Sequence, residues 1–257
     1  MDNNRRIFLK VAGISAALGI GGGLPLALQA ADPDEARYIK SESEVTAKRW
    51  GMVIDTRKFK TAEDFDRVIQ ACHRYHNVPD IEGNEEIKWI WTDKFKHVFP
   101  SVTNPYLADR LENKKYLLLC NHCNNPPCVR VCPTKATFQR ADGIVMMDYH
   151  RCIGCRYCMA GCPFGARSFN FSDPAPHVTD PNPDFPNRMR GVVEKCNFCA
   201  ERLELGQMPA CVEASDGALI FGDLNDPDSH IRQVLRENYT IRRKGDLGTD
   251  PCVFYIV

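Results

Sequence analysis

The residues of this 257-residue chain whose types and spacing can do chemistry are its thirteen cysteines. Eight fall between Cys120 and Cys162, most of them two to four residues apart. They form two runs, Cys120-x2-Cys123-x4-Cys128-x3-Cys132-Pro133 and Cys152-x2-Cys155-x2-Cys158-x3-Cys162-Pro163. A disulfide needs Cα atoms about 4.4–6.8 Å apart with suitable vectors, which packed runs of this kind do not offer throughout. They do offer several thiolates converging on one point, the requirement of a metal centre. Structural zinc needs isolated sets of four ligands and leaves the repeat unexplained. The C-x-x-C-H signature of attached haem is absent from the sequence.

What remains is the spacing of iron–sulfur clusters. In a C-x2-C-x2-C-x3-C-P run, three close cysteines wrap one cluster from a single loop, and the fourth starts a helix that reaches the neighbouring cluster. This exchange assigns Cys120, Cys123, Cys128 and Cys162 to one [4Fe–4S] cluster, and Cys152, Cys155, Cys158 and Cys132 to a second. Gly154 and Gly161 let the backbone pass close to the sulfurs. A third, dispersed set is Cys196-x2-Cys199-x11-Cys211. It is one ligand short, and Cys72 is the expected donor because it ends an amphipathic helix preceded by a strand. A zinc site of the same four residues is the alternative. Twelve of the thirteen cysteines then serve three clusters. Cys252, in an apolar tail, is expected to be a buried inert thiol.

Short elements must position these sulfurs. Residues 50–55 read as a strand. Thr61-Ala-Glu-Asp64 reads as a helix N-cap with an acidic third position, and Phe65, Val68, Ile69 and Cys72 follow on one helical face. Residues 87–91 alternate as a strand, which puts Trp89 and Trp91 on one face as core or subunit contacts. Residues 116–119 form a strand that feeds Cys120. Five prolines between Asp173 and Pro186 mark a surface loop. Residues 192–195 lead as a strand into Cys196, and residues 218–221 form another, ended by Gly222. Asp226 is expected to cap a helix opened by Pro227 that runs to about Asn238. Residues 253–257 close the chain as an apolar run. His122 is expected to bond backbone inside its loop, and His73 and His76 to place cations at a helix C-terminus.

Lys plus Arg and Asp plus Glu number 33 each, a balance that argues against nucleic-acid binding. The chain opens Asn4-Arg5-Arg6-Ile7-Phe8-Leu9-Lys10, followed by a Gly- and Ala-rich apolar stretch from Val11 to Ala31. Arg5 and Arg6 before this mild run read as a twin-arginine export signal, cleaved after Ala30 or Ala31 or kept as an anchor. A chance arginine pair ahead of a membrane helix is the alternative. Bare thiols would scramble in an oxidising compartment, so a protein exported already folded around its clusters accounts for both features. No nucleophile–base constellation or phosphate-binding glycine loop stands out, and no substrate site is expected.

In this order the cysteine runs resemble the four-cluster ferredoxin-like electron-transfer subunits of membrane oxidoreductases, among them polysulfide, nitrite and tetrathionate reductase subunits. The likeness covers nearly all of the chain past the signal, including Cys120-Asn-His-Cys123-Asn-Asn-Pro-Pro-Cys128 and Lys195-Cys-Asn-Phe-Cys199. It implies an α+β fold of tandem ferredoxin-like units with irregular loops and a C-terminal extension. Residues 1–31 are then the signal and 32–50 a linker. Residues 51–115 with 188–257 form an outer half, and 116–187 a two-cluster domain.

The chain departs from the family pattern at one place. The family's first motif should follow Asp55-Thr-Arg-Lys58, but Phe59 replaces its first cysteine and only the fourth remains, as Cys72. Ser215 stands where the last motif should end in cysteine. The missing residues would have held one outer cluster, and the helix from Thr61 is expected to fill the vacated space. In molybdenum-containing relatives that cluster faces the molybdopterin subunit, and the retained outer cluster faces the membrane subunit. The resemblance therefore implies no molybdopterin partner. Export, three clusters and the tail from Arg236 to Lys244 look most like the DsrO and HmeA group, the exported ferredoxin-like subunits of Dsr-type, sulfite-reduction-linked membrane complexes. That likeness implies a periplasmic or extracytoplasmic, membrane-associated location. It also implies a multi-span quinone-interacting membrane subunit, a multihaem cytochrome c and other complex subunits as partners. An electron-transfer subunit of a periplasmic molybdopterin oxidoreductase is the alternative.

Overall fold

The computed structural model describes residues 43–257, so the export signal with Arg5 and Arg6, and most of the proposed linker, lie outside the described residues. The elements run β1 (Trp50–Asp55), α1 (Ala62–Tyr75), β2 (Ile90–Lys94), α2 (Phe95–Val98), α3 (Asp109–Glu112), β3 (Lys115–Leu119), α4 (Pro127–Arg130), β4 (Thr137–Gln139) and β5 (Val145–Met147). They continue α5 (Tyr157–Ala160), β6 (Ser168–Phe169), β7 (Val193–Glu194), α6 (Ala200–Glu204), α7 (Ala210–Glu213), β8 (Leu219–Asp223), α8 (His230–Glu237), β9 (Thr240–Ile241) and β10 (Val253–Ile256). Helices and small sheets are mixed, as an α+β reading requires. No helix among the described residues is long and apolar enough to cross a membrane.

The largest sheet has the order β8-β1-β10-β9, with β1 parallel to β10 and antiparallel to β8. A strand near the start of the described residues is thus clamped between two from their end. Side chains alternate across a strand, so Met52 and Ile54 join the main core with Leu219, Phe221, Val253 and Tyr255. Val53, Ile220, Phe254 and Ile256 face the other way and pack on Ile231, Val234 and Leu235 of α8. The remaining sheets are antiparallel pairs, β2 with β3, β4 with β5 and β6 with β7.

Helix α1 follows its sequence signals. Thr61 and Asp64 form a capping box, and the Asp64 carboxylate accepts from the backbone N–H of Lys60 (2.9 Å) and Thr61 (3.0 Å). Phe65, Val68 and Cys72 are buried along one face. Three expectations need correction. β2 starts at Ile90 rather than Ile87, because the Lys88 N–H is taken by Ser168 Oγ at 2.8 Å and not by a neighbouring strand. β8 continues through Gly222, where a side chain would press on Ile231 of α8 at 3.0 Å. α8 begins at His230 with Ser229 as its N-cap. The Asp226 carboxylate instead accepts from Asp228 N–H at 3.0 Å, which closes a turn around Pro227.

Candidate metal centre

The two clustered cysteine runs fold as one local design used twice. Each ends a short helix, α4 or α5, and the two helices pack together. Cys132 N–H donates to Val129 O (3.3 Å), and Cys162 N–H donates to Met159 O (3.2 Å). Three residues beyond each of these cysteines the chain turns through left-handed backbone, at Lys135 (φ 56°) and Gly165 (φ 65°). Their N–H groups bond back to Cys132 O and Cys162 O, both at 3.4 Å. The chain then enters β4 and β6.

This design gathers Cys120, Cys123, Cys128 and Cys162 around one enclosed cavity, walled also by Pro126, Pro127, Phe164 and Arg167. Cys132, Cys152 and Cys158 pack with Ala136, Val145, Met147 and Val193. Cys155, on the same loop, is the one exposed cysteine of the thirteen. Cys72, Cys196, Cys199 and Cys211 are all buried. Burial pushes the Cys72 thiol well up, and its neighbours Cys211, Cys199 and Cys196 add to the shift. The dispersed set is therefore brought together, with α1 delivering Cys72 and α7 delivering Cys211.

A second repeat joins the dispersed set to the first one. Cys120-Asn-His-Cys123 and Cys196-Asn-Phe-Cys199 share left-handed third residues, His122 (φ 40°) and Phe198 (φ 56°). Their rings stack at 3.7 Å and 18°. Burial pushes the Cys196 thiol up, and Cys120 and then Cys211 push it further. The first set also meets the other clustered one, since burial raises the Cys158 thiol and Cys128 adds to the rise. The three sets thus lie in sequence, with the Cys120 set between the buried Cys72 set and the surface-reaching Cys155 set. All four cysteines of the Cys72 set are buried, and Cys155 is the exposed one.

The departure at Ser215 has a local explanation. α7 after Pro209 repeats α4 after Pro126, so Cys211 matches Cys128 and Ser215 matches Cys132. Ser215 Oγ donates to Val212 O (2.7 Å) and accepts from Leu219 N–H (3.0 Å), so the hydroxyl is occupied in closing the helix. Phe59 stacks on Phe65 at 4.6 Å, Arg67 bonds Ala214 O at 2.9 Å, and Lys58 bonds Gly217 O at 3.0 Å.

The histidines and the thirteenth cysteine behave as follows. His122 bonds backbone as expected, its Nδ1 accepting from Val145 N–H at 3.0 Å. Burial and the nearby Lys195, Arg49 and Arg167 hold its imidazole well below the usual range, so it is neutral. His73 is not a cation either, since burial pulls it down to about 4. Its Nε2 bonds Ile90 O at 3.2 Å. His76 is buried, with Nδ1 on Cys72 O (2.9 Å) and Nε2 on Glu201 (2.7 Å). Its ligand atom, with those of Cys199 and Glu201, falls in a group within 4.8 Å. Cys252 is buried but not without company, as Arg49 Nη2 approaches its Sγ at 3.0 Å. Trp89 is core, stacked on His76 at 4.5 Å and donating to Glu194 at 2.9 Å.

Sequence reading missed the polar groups that face the sulfurs. Asn121, which lines the Cys120 cavity, has both side-chain polar atoms buried without partners, and Arg167 Nη2 is in the same state. Glu201 and the buried Lys195 and Arg243 were also not singled out. Only Lys195 carried a signal, its place directly before Cys196. Orphaned donors around four converging thiols suit an anionic sulfur-ligated cluster, whose sulfurs accept such hydrogen bonds.

Comparison with known proteins agrees. Residues 116–174 match a family described as a 4Fe-4S dicluster domain. Hdr-like menaquinol oxidoreductase iron-sulfur subunit 1 of Archaeoglobus fulgidus is 42% identical, over 98% of this chain and 97% of its own length. The B component of the polysulfide reductase of Wolinella succinogenes is 43% identical over 82% of this chain and 95% of its own length. The menaquinone reductase iron-sulfur cluster-binding subunit of Nitratidesulfovibrio vulgaris is 36% identical over 81% and 88%. With the cysteine geometry, these likenesses place the chain in the family of iron–sulfur electron-transfer subunits to which those proteins belong.

Proposed function

We propose that this chain relays single electrons in a Dsr-type respiratory complex, between an exported cytochrome c and a membrane quinone-interacting subunit, using three [4Fe–4S] clusters. The ligands are Cys120, Cys123, Cys128 and Cys162; Cys132, Cys152, Cys155 and Cys158; and Cys72, Cys196, Cys199 and Cys211. The observation that carries this reading is the enclosed cavity of the first set, lined also by Asn121 and Arg167, whose Nδ2 and Nη2 are buried without partners. Bound there, such a cluster supplies one-electron redox chemistry. The chain supplies the ligands, excludes water and places the sets close together. Two ferredoxin-like units in tandem, residues 116–187 and the outer 51–115 with 188–257, account for the two repeats. A fourth cluster is not part of this reading, because Phe59 and Ser215 occupy ligand positions and are packed or bonded elsewhere. Exposure of Cys155 makes its face the hand-off surface toward a partner.

Iron analysis of protein purified without oxygen tests the cluster count, with about twelve irons per chain expected. About eight would remove the Cys72 site, and about sixteen would add a cluster that cysteines do not account for. The location rests on the twin-arginine reading of residues 1–31, and fractionation of cells expressing an Arg5→Lys, Arg6→Lys variant tests it. Mild-detergent pull-down from native membranes tests the partners. A multihaem cytochrome c and a multi-span quinone-type subunit are expected. A co-purifying molybdopterin subunit would instead support a polysulfide- or tetrathionate-reductase-type complex.

A further inference from the structure

Three cations are buried against the central cysteine set. Arg167 is 5% exposed, Lys195 1% and Arg243 4%. Among the described residues none of them forms an ion pair with a carboxylate. A buried charge without a partner is costly, so their placement asks for a counter-charge.

Each cation is held by its own partners. Arg167 lines the Cys120–Cys123–Cys128–Cys162 cavity, with Nη1 held by Thr137 Oγ1 at 3.2 Å and Nη2 unpartnered. Burial disfavours its charge, but Cys128, Cys158 and Cys120 outweigh that and raise it. Lys195 Nζ is held by Cys196 O at 2.6 Å and by Val145 O, and Val145 is itself a wall of the cavity. Arg243 donates through Nη2 to Phe164 O at 3.3 Å, and its Nε and Nη1 are buried without partners. It lies over the Phe164 ring at 5.4 Å, beside Cys162 and Cys123. The carboxylate that acts on Arg243 is Asp93, which bonds His97 at 2.8 Å.

The flanking sets are placed differently. The Cys72 set has the Glu201 carboxylate beside Cys72 and Cys199. Arg202, near Cys211, is paired with Glu213 at 2.6 Å. The Cys155 set shares Arg167 but opens to solvent at Cys155, where water screens charge.

We propose that Arg167, Lys195 and Arg243 make the cluster held by Cys120, Cys123, Cys128 and Cys162 the highest-potential of the three, the place where a single electron rests. This rests on the three-cluster reading above. An external one-electron reductant, dithionite in the test, gives up one electron, and one cluster gains it and becomes more negative by one unit. Fixed positive charge in a dry site favours that gain most at the central set.

The test is a potentiometric titration of the anaerobic, iron-replete protein, followed by electron paramagnetic resonance. Arg167→Gln, Lys195→Gln and Arg243→Gln should each lower the highest midpoint. The electron's partition between central and flanking clusters should change about tenfold, or about 59 mV for a one-electron couple. Arg167→Lys and Lys195→Arg should restore most of the shift, and Glu201→Gln should raise a lower-potential signal instead. Should the charge-removing variants lose iron, an aqueous paramagnetic relaxant added to the unmutated protein marks the signal of the surface set, because Cys155 is exposed. The proposal is overturned if that marked signal is the highest, or if iron-replete Gln variants leave the highest midpoint in place. Low iron in the wild type would refute the three-cluster reading, whatever the order of midpoints.

Discussion

Glu194, on β7, shows how a single buried residue ties separate segments together. Its carboxylate accepts from Trp89 Nε1 (2.9 Å), Arg188 Nε (2.8 Å) and Asn170 Nδ2 (2.5 Å), and all four side chains are buried. Glu194→Gln leaves the Arg188 guanidinium without its anion, and unfolding in chaotrope should register a loss of about 3–5 kcal/mol. Adding Arg188→Met to that variant should recover much of it, and no recovery would mean that the cost lies elsewhere. Asp55 makes the acid-side prediction. Burial alone would raise its carboxyl, yet hydrogen bonds from Arg57 N–H (3.1 Å), Nε (2.8 Å) and Nη2 (2.9 Å) hold it below its ordinary 3.8. A carboxylate depressed in the folded state contributes stability above its unfolded value and loses it as pH falls through the folded one. Asp55→Asn should therefore cost about 1 kcal/mol at neutral pH, a figure discounted because Arg57 is half exposed. The cost should shrink as pH falls below the ordinary 3.8 and through the lower folded value. A pH-independent difference would show that the carboxylate charge is not the cause.

At the scale of elements, the backbone around the cysteines sets the tolerances. Gly154 lies at φ 68°, and a Cβ there would sit 2.5 Å from Gly191 O. Gly154→Ala must push the Cys152–Cys158 loop away from the strand β6–β7 side, at a cost of about 1–3 kcal/mol. Iron content should fall selectively at that set, and full iron with unchanged stability would show that the loop has room. The Phe59–Phe65 stack belongs to the main core at the start of α1, about two turns before Cys72. Phe59→Ala should destabilise by about 3–5 kcal/mol through the cavity it opens, while iron stays unchanged. Iron loss on that substitution would place Phe59 against a cluster. Helix α1 was legible in advance because its capping box and its apolar face agree. The start of β2 was not, since residues 87–89 alternate like a strand but find no partner strand. Likewise Asp226-Pro227 carries the signals of a helix start, and the Asp226 side chain spends them on a turn.

Over the whole molecule, the sulfurs are as much part of the core as the apolar side chains. Burial pushes the Cys211 thiol up to about 12, so without metal it stays protonated at neutral pH. Binding a metal ion or cluster requires deprotonated thiols and cross-links distant segments, and its free energy then becomes folding free energy. Iron removal by an anaerobic chelator should lower the unfolding temperature. Amides of residues 120–165 should exchange with solvent before those of β1 and β10, which are held by a buried sheet. Equal protection in the iron-loaded and stripped proteins would show that the fold closes without the clusters.

Which cysteines belong to which run could be read in advance, because ligand spacing on one loop is a local property that a short helix and a tight turn dictate. The periodicity of a helix also pointed to Cys72. The folded chain was needed to show that Cys72 meets Cys196, Cys199 and Cys211, that the sets follow one another toward the exposed Cys155, and that Arg167, Lys195 and Arg243 lie against the middle one. Those relations join residues from 47 positions apart, Cys120 and Arg167, to 139, Cys72 and Cys211, through β1 clamped between β8 and β10 and through the stacked rings of His122 and Phe198. A cation in a sequence reads as solvated surface until the fold encloses it, and burial, which decides the strength of its charge, exists only once the chain has closed.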